Sequence, residues 1–195
     1  MELKIGIDKS AYIASPSPGI RDTRLPIVFY GTSITQGGCA SRAGMSHTSI
    51  LSRWLDRQVI NLGFSGAGKM EPAMAELIQE LDAALFVLEC LPNMTNEMVR
   101  ERLEPFVVRL KESHPDTPLL LVENLLLSSD SEQNKELQKI YARLKQQGFN
   151  KLYYLDSAPQ LEGRENGTVD SVHPTDLGFY RMAEAYYLLL QDILE

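Results

Sequence analysis

The residues best suited to chemistry in this chain form two short segments far apart in the sequence. Ser33 lies in Gly31-Thr-Ser-Ile34, directly after the apolar run Leu25–Tyr30, whereas Asp170 and His173 lie near the C-terminus in an Asp-x-x-His spacing. A serine hydroxyl becomes a nucleophile when a base takes its proton and a carboxylate orients that base. The sequence therefore offers Ser33, His173 and Asp170 as a candidate catalytic triad.

A third segment could instead hold a phosphate. Residues Gly63 to Lys69 match the pattern G-x-x-x-x-G-K between an apolar run and a helical pattern, and Glu89 ends a later apolar run as a metal-binding acid would. Position 70 is methionine, however, and its thioether cannot hold Mg²⁺ as the usual Ser or Thr does. Nucleotide binding is therefore the less favoured alternative.

The elements that must position these residues alternate regularly along the chain. Continuous apolar runs, typical of strands covered on both faces, occur at 25–30, 58–63, 83–88, 117–122 and 151–155. Stripes of helical period occur at 50–55, 73–81, 98–110, 137–144 and 176–190. This order predicts an α/β fold with a parallel sheet. Ligands of such sheets bind at the carboxyl ends of the strands, where the two segments would meet.

Composition and charge exclude several functional classes. The chain has 195 residues, 44% of them hydrophobic and 23% charged, which is typical of a globular domain. A net charge of −7 argues against nucleic acid as a partner. The longest uncharged stretch, Leu25–Ser41, is too short to span a membrane, and no apolar core of a signal peptide precedes it. By that criterion the protein is cytoplasmic, or periplasmic or secreted if the sequence is truncated. Cys39 and Cys90 form neither a disulfide framework nor a zinc site.

The two segments resemble sequence blocks of a known family. Gly31-Thr-Ser-Ile34 is similar to the GDS(L) block of the SGNH/GDSL hydrolases, with Thr in place of the usual Asp, and Asp170-Ser-Val-His173 is similar to their D-x-x-H block. Asn61-Leu-Gly63 resembles the second block, and Leu91-Pro-Asn93-Met94 resembles the third, which here lacks the usual Gly and Asp. The resemblance is specific because four blocks occur in the right order, each after the matching strand.

This resemblance implies a three-layer α/β/α fold with a flavodoxin-like, five-stranded parallel sheet. It also implies a serine esterase that needs no metal and no cofactor. The residues implied are Ser33, His173 and Asp170 as the triad, and the backbone N–H groups of Ser33 and Gly63 with the side-chain amide of Asn93 as the oxyanion hole.

The substrate is predicted only by class. The first two blocks are most similar to those of a bacterial subgroup linked to carbohydrate-ester deacylation, so the expected partner is a small-molecule or oligosaccharide ester, most simply an acetyl ester. A lysophospholipase or thioesterase is the alternative, but it needs a long apolar groove for which no lid segment is visible. A non-catalytic carbohydrate-binding relic is a further alternative. The sequence determines neither the natural ester nor the oligomeric state.

Two further residues are candidates for substrate contact. Glu123 ends the fourth apolar run near the same crevice, where an ion pair or a cap is at least as good an interpretation. Arg42 could line the mouth of the site.

Residues 1–24 fall outside the alternation of strands and helices. Leu3–Ile7 alternates like a half-exposed strand, and Ser15–Gly19 is typical of a rigid connector. This segment is predicted to be an edge hairpin or the end of an upstream β-domain, and residues 25–195 are predicted to be the hydrolase domain.

Overall fold

Five parallel strands form the centre of the computed structural model, which describes residues 6–14, 24–158 and 166–195. The strands are β1 (Ile27–Gly31), β2 (Val59–Gly63), β3 (Leu85–Glu89), β4 (Leu119–Val122) and β5 (Leu152–Leu155). Their order across the sheet is β2-β1-β3-β4-β5. The chain leaves β1 toward β2 and later returns to place β3 on the other side of β1. The carboxyl end of β1 is therefore at the point where the strand order reverses, which is where open α/β sheets bind ligands.

Six helices in the described ranges cover the sheet. They are α1 (Ser33–Gln36), α2 (His47–Trp54), α3 (Pro72–Ile78), α4 (Asn96–Ser113), α5 (Glu132–Gln146) and α6 (Asp176–Leu194). Two 3₁₀ turns, Ala43–Met45 and Leu91–Asn93, precede α2 and α4. Short polar side chains accept a hydrogen bond from the first turn of five of these helices, which favours their starting points. These caps are Thr32, Ser46, Thr95, Ser131 and Thr175.

The three central strands, β1, β3 and β4, are buried on both faces because their side chains alternate between two apolar cores. Ile27 and Phe29 of β1 pack with α1, α2 and α6, whereas Val28 and Tyr30 pack with α3, α4 and α5. Burial on both faces accounts for the continuous apolar runs in the sequence. The predicted α/β/α architecture, with a five-stranded parallel sheet, is confirmed.

The N-terminal prediction concerns residues that the structure describes only in part. Residues 6–14 are exposed and contain a turn but no strand. Most of Leu3–Ile7 and all of Ser15–Gly19 lie outside the described residues, so the hairpin or upstream domain stays a prediction. In the described ranges, no helix combines the length and apolarity needed to cross a bilayer.

Candidate active site

The turn between β1 and α1 places Ser33 at the first position of a helix. Thr32 caps this helix: its hydroxyl accepts from the Ile34 N–H at 3.2 Å, and the Thr35 hydroxyl accepts from the Thr32 N–H at 3.2 Å. Threonine thus performs the capping function that aspartate would also perform. Gly31 is required here, since a Cβ atom would lie 2.0 Å from the Thr35 hydroxyl oxygen.

A buried polar cluster beneath this turn anchors it to β3. Glu89 accepts hydrogen bonds from Thr35 Oγ1 at 2.7 Å and Tyr186 OH at 2.9 Å, and its carboxylate lies 3.1 Å from His47 Nε2. Burial raises the pKa of Glu89, but the neighbouring His47 and the hydrogen bonds outweigh it and lower the pKa below its usual value. Glu89 therefore holds the turn that carries Ser33 in place. Only the less favoured nucleotide-binding interpretation would have made this residue a metal-binding acid.

The C-terminal segment brings a histidine and a carboxylate to the same serine. His173 Nε2 lies 2.9 Å from Ser33 Oγ, and His173 Nδ1 lies 2.7 Å from Asp170 Oδ2. The other carboxylate oxygen, Oδ1, accepts the backbone N–H groups of Val172 and His173 at 3.0 and 2.7 Å. These backbone bonds and the bond to the His173 ring lower the pKa of Asp170 to about 2. The carboxylate is therefore ionised at any ordinary pH.

Gly63 does not have the free N–H group that the sequence interpretation gave it. Its N–H donates to Asn61 Oδ1 at 2.9 Å, so this donor is already used within the protein. Gly63 is glycine for a packing reason, because a Cβ atom would lie 2.1 Å from the backbone nitrogen of Gln36. This contact argues against the predicted role of Gly63 as an oxyanion donor.

Gly66 offers a free backbone N–H in the same turn, and no residue pattern in the sequence pointed to it. It has a φ of +70°, is exposed, and its N–H has no hydrogen-bond acceptor among the described residues. The next residue, Ala67, accepts a hydrogen bond from the side-chain amide of Asn93, which holds this turn beside the third block. The amide of Asn93 keeps one N–H for another acceptor. The sequence shows glycines at 63, 66 and 68 in this turn. Their spacing does not indicate which of the three N–H groups points away from the protein.

The comparison with protein families supports the assignment made from the four blocks. The family profile described as GDSL-like lipase/acylhydrolase matches residues 24–191, which include all four blocks. The chain belongs to this family. The predicted resemblance to the SGNH/GDSL hydrolases is thereby confirmed.

Solved structures of similar proteins include members of this family. A protein from Bacteroides ovatus ATCC 8483, described as a GDSL-like lipase, is 36% identical with a TM-score of 0.82, over 88% of this chain and 54% of that one. A salicylyl-acyltransferase from a tetracycline biosynthetic pathway is 22% identical with a TM-score of 0.76, over 89% and 56% of the two chains. A family two carbohydrate esterase from Clostridium thermocellum, in complex with cellohexaose, is 17% identical with a TM-score of 0.73, over 93% and 67%.

The similarities to the salicylyl-acyltransferase and to the carbohydrate esterase concern the fold alone. The chain spans about half the length of the first two proteins. A comparison with curated protein sequences gave no significant match.

The Gly63–Lys69 segment of this member of the GDSL-like family is not arranged to hold a phosphate. The N–H groups of Phe64 and Ala67 donate to backbone carbonyls, and that of Lys69 donates to Glu71 Oε2 at 2.9 Å. A carboxylate thus occupies the start of α3, where a phosphate-binding loop would receive its anion. Gly68 packs against β1, because a Cβ atom there would lie 2.0 Å from a backbone carbonyl oxygen. These contacts favour a packing role for the loop.

The contacts of Glu123 favour a structural role over the alternative of a substrate contact. It is buried, and its carboxylate accepts hydrogen bonds from four donors that leave no oxygen for a ligand. The donors are Ser129 Oγ at 2.8 Å, Gln138 Nε2 at 2.7 Å, the Ser157 N–H at 2.8 Å, and Tyr154 OH. Burial raises the pKa of Glu123, but these hydrogen bonds outweigh it and lower the pKa below its usual value.

We expect Glu123→Gln to destabilise the protein without changing ester hydrolysis. Either orientation of the new amide sets its NH₂ group against the N–H of Ser157 or of Gln138, which should cost about 1–3 kcal/mol in the free energy of unfolding. The lowered pKa stabilises the fold above the ordinary value of 4.5, and this contribution is lost as the pH falls through the folded-state pKa. Denaturant unfolding across pH, with the exposed Glu80→Gln as control, tests this. A fall in kcat at unchanged stability would contradict it.

The remaining predicted substrate contact is Arg42, which lies on the segment that bonds to the start of α6. Arg42 is exposed and its guanidinium lies 3.4 Å from Ser41 Oγ, which in turn donates to Asp176 at the start of α6. Its role at the mouth stays a prediction. One group of metal-ligating side chains occurs in the described ranges, in which Cys39 lies within 4.8 Å of ligand atoms of Asp170 and His173. Two of its members already bond to each other.

Proposed function

We propose that this chain is a serine esterase that hydrolyses short acyl esters, most simply acetyl esters, carried on carbohydrate. The observation that carries the proposal is the unbroken relay from Ser33 Oγ through the His173 ring to the Asp170 carboxylate, with distances of 2.9 and 2.7 Å. Because Asp170 stays ionised, it orients His173 with Nδ1 protonated and Nε2 free to accept a proton. This is the arrangement that activates a serine hydroxyl.

The proposed reaction has two steps. Ser33 Oγ attacks the ester carbonyl while His173 Nε2 takes the hydroxyl proton, and the tetrahedral intermediate then expels the alkoxide, which receives that proton. Water then attacks the acyl-serine ester, again with His173 as base. The carboxylic acid leaves and the proton returns to Ser33 Oγ, so atoms and charge balance at each stage.

The proposed oxyanion hole consists of three N–H donors. The backbone N–H of Ser33 lies in the first turn of α1 and has no acceptor among the described residues, and the N–H of Gly66 is likewise free. The unused amide N–H of Asn93 is the third donor. Donors of this kind stabilise charge that develops only in the transition state.

The exposure of the site supports a short acyl group on a bulky alcohol. The side chains of His173 and Asp170 are 27% and 49% exposed, so the relay opens to solvent. An open site accepts a large sugar alcohol, whereas a long acyl chain gains affinity only from an extended apolar groove. The fold shared with the family two carbohydrate esterase adds support for the carbohydrate, and a lysophospholipase or thioesterase is the alternative.

A substrate panel tests the proposal. We expect kcat/KM for p-nitrophenyl esters to be highest for acetate and to fall with acyl chain length, and we expect acetate release from acetylated oligosaccharides. A preference for long acyl chains or for lysophospholipids would favour the alternative. Absence of hydrolysis with every ester, in a folded sample, would favour a non-catalytic carbohydrate-binding protein.

A further inference from the structure

A buried glutamine joins helix α5 to the turn that carries Asn93. Gln133 is 5% exposed, and its side-chain Nε2 donates to the carbonyl oxygens of Leu91 at 3.0 Å and Met94 at 2.6 Å. These two residues flank Asn93 on both sides. The Leu91 carbonyl also accepts the Met94 N–H at 2.9 Å, which closes the 3₁₀ turn. One side chain thus holds both ends of this turn.

The side chain of Asn124 fixes the orientation of the Gln133 amide. Asn124 Nδ2 donates to Gln133 Oε1 at 2.7 Å, while Asn124 Oδ1 accepts the Leu126 N–H at 3.0 Å. The Asn124 N–H is in turn held by Asn134 Oδ1 at 2.9 Å. Since a backbone N–H occupies the oxygen of Asn124, its NH₂ group must face Gln133. The oxygen of Gln133 must then face Asn124, and its NH₂ group must face the turn.

We infer that Gln133 is a positioning residue for the oxyanion hole, acting through Asn93. This inference rests on the proposed function. The Asn93 amide gives one N–H to Ala67, so the direction of its second N–H depends on where the 3₁₀ turn lies. A buried amide with all its hydrogen bonds satisfied holds that turn more strictly than apolar packing, because a rotation would leave buried polar groups unpaired.

A double-mutant cycle tests this inference. Gln133→Met keeps the volume and removes the hydrogen bonds, and we expect kcat to fall by about tenfold or more at nearly unchanged KM, since small misplacements of catalytic groups are costly. In the Asn93→Ala background the same change should lower kcat less than about twofold, because the group being positioned is gone.

A second glutamine of the same helix provides the control. Gln138 also donates two hydrogen bonds, to Glu123 and to the Ser129 carbonyl, but it does not contact the turn that carries Asn93. Gln138→Met should lower the melting temperature without lowering kcat. If Gln133→Met does not fold, Asn124→Ala takes its place, because it removes the hydrogen bond that orients the Gln133 amide. We expect this variant to lose less of kcat than Gln133→Met, and to lose it only when Asn93 is present.

The outcomes separate this inference from the proposed function. Equal losses of kcat from Gln133→Met in both backgrounds would show that Gln133 does not act through Asn93, and so would an unchanged kcat in the single variant. If Asn93→Ala itself left kcat unchanged, the proposed oxyanion hole would fail together with the inference. If Asn93→Ala lowers kcat and the losses from Asn93→Ala and Gln133→Met are additive, the inference about Gln133 fails while the proposed oxyanion hole stands.

Discussion

Replacing Ser33 with alanine is expected to lower kcat/KM for ester hydrolysis by about four to six orders of magnitude, as losses of a triad nucleophile usually do. The Ser33 hydroxyl bonds only to His173 among the described residues, and it is the one hydroxyl within hydrogen-bonding distance of that base. Without it no acyl-enzyme can form, so the remaining rate comes from substrate binding and the oxyanion donors. Steady-state kinetics with p-nitrophenyl acetate measure the loss.

Folding should be almost unaffected by Ser33→Ala, since the substituted hydroxyl is only half-buried and caps nothing. Ser49→Ala, in helix α2, serves as the matched control and should keep full activity. In the wild-type protein, a phosphonate ester should label Ser33 and no other serine, as read by peptide mass spectrometry. A Ser33→Ala variant that keeps more than about a tenth of the wild-type kcat/KM would rule out this serine as nucleophile.

The proposed triad could be recognised in the sequence because its signals are local. A serine directly after a buried strand and an Asp-x-x-His spacing before a helix each determine their own backbone surroundings, and parallel topology then brings both to one edge of the sheet. The structure places Ser33 and His173 within hydrogen-bonding distance although they lie 140 positions apart. Apart from these two local patterns, only the order of the strands in the sheet is needed to place Ser33 beside His173.

The other site residues depend on contacts that residue type does not show. Gly63 and Gly66 are both glycines in one turn, but the first is needed for packing against α1 and the second for its positive φ. Glu123 directly follows β4, yet its carboxylate turns toward donors from three other segments. Gln133 bonds a turn some forty positions earlier. None of these directions is encoded in the local pattern of hydrophobic and polar residues.

Asp170→Asn should lower kcat by about 10⁴-fold, and the reason lies in how the carboxylate is held. Two backbone N–H groups, of Val172 and His173, point at Oδ1, so an asparagine must place its oxygen there. Its NH₂ group then faces His173 Nδ1 in place of the carboxylate oxygen. A donor at that position selects the tautomer with the proton on Nε2, which faces Ser33 and can no longer accept a proton.

The pH dependence distinguishes this tautomer effect from a general loss of structure. Because the pKa of Asp170 is about 2, the carboxylate does not titrate in the working range, and the acidic limb of kcat/KM reports an imidazole that must be neutral. The wild-type kcat/KM should therefore show a single rise with pH, without a second step from Asp170. Asp176→Asn is the control, because it removes a nearby carboxylate that accepts hydrogen bonds from Ser41 and does not contact His173. This variant should keep both the wild-type rate and the wild-type pH profile. An Asp170→Asn variant within about tenfold of the wild-type kcat would show that another group orients His173.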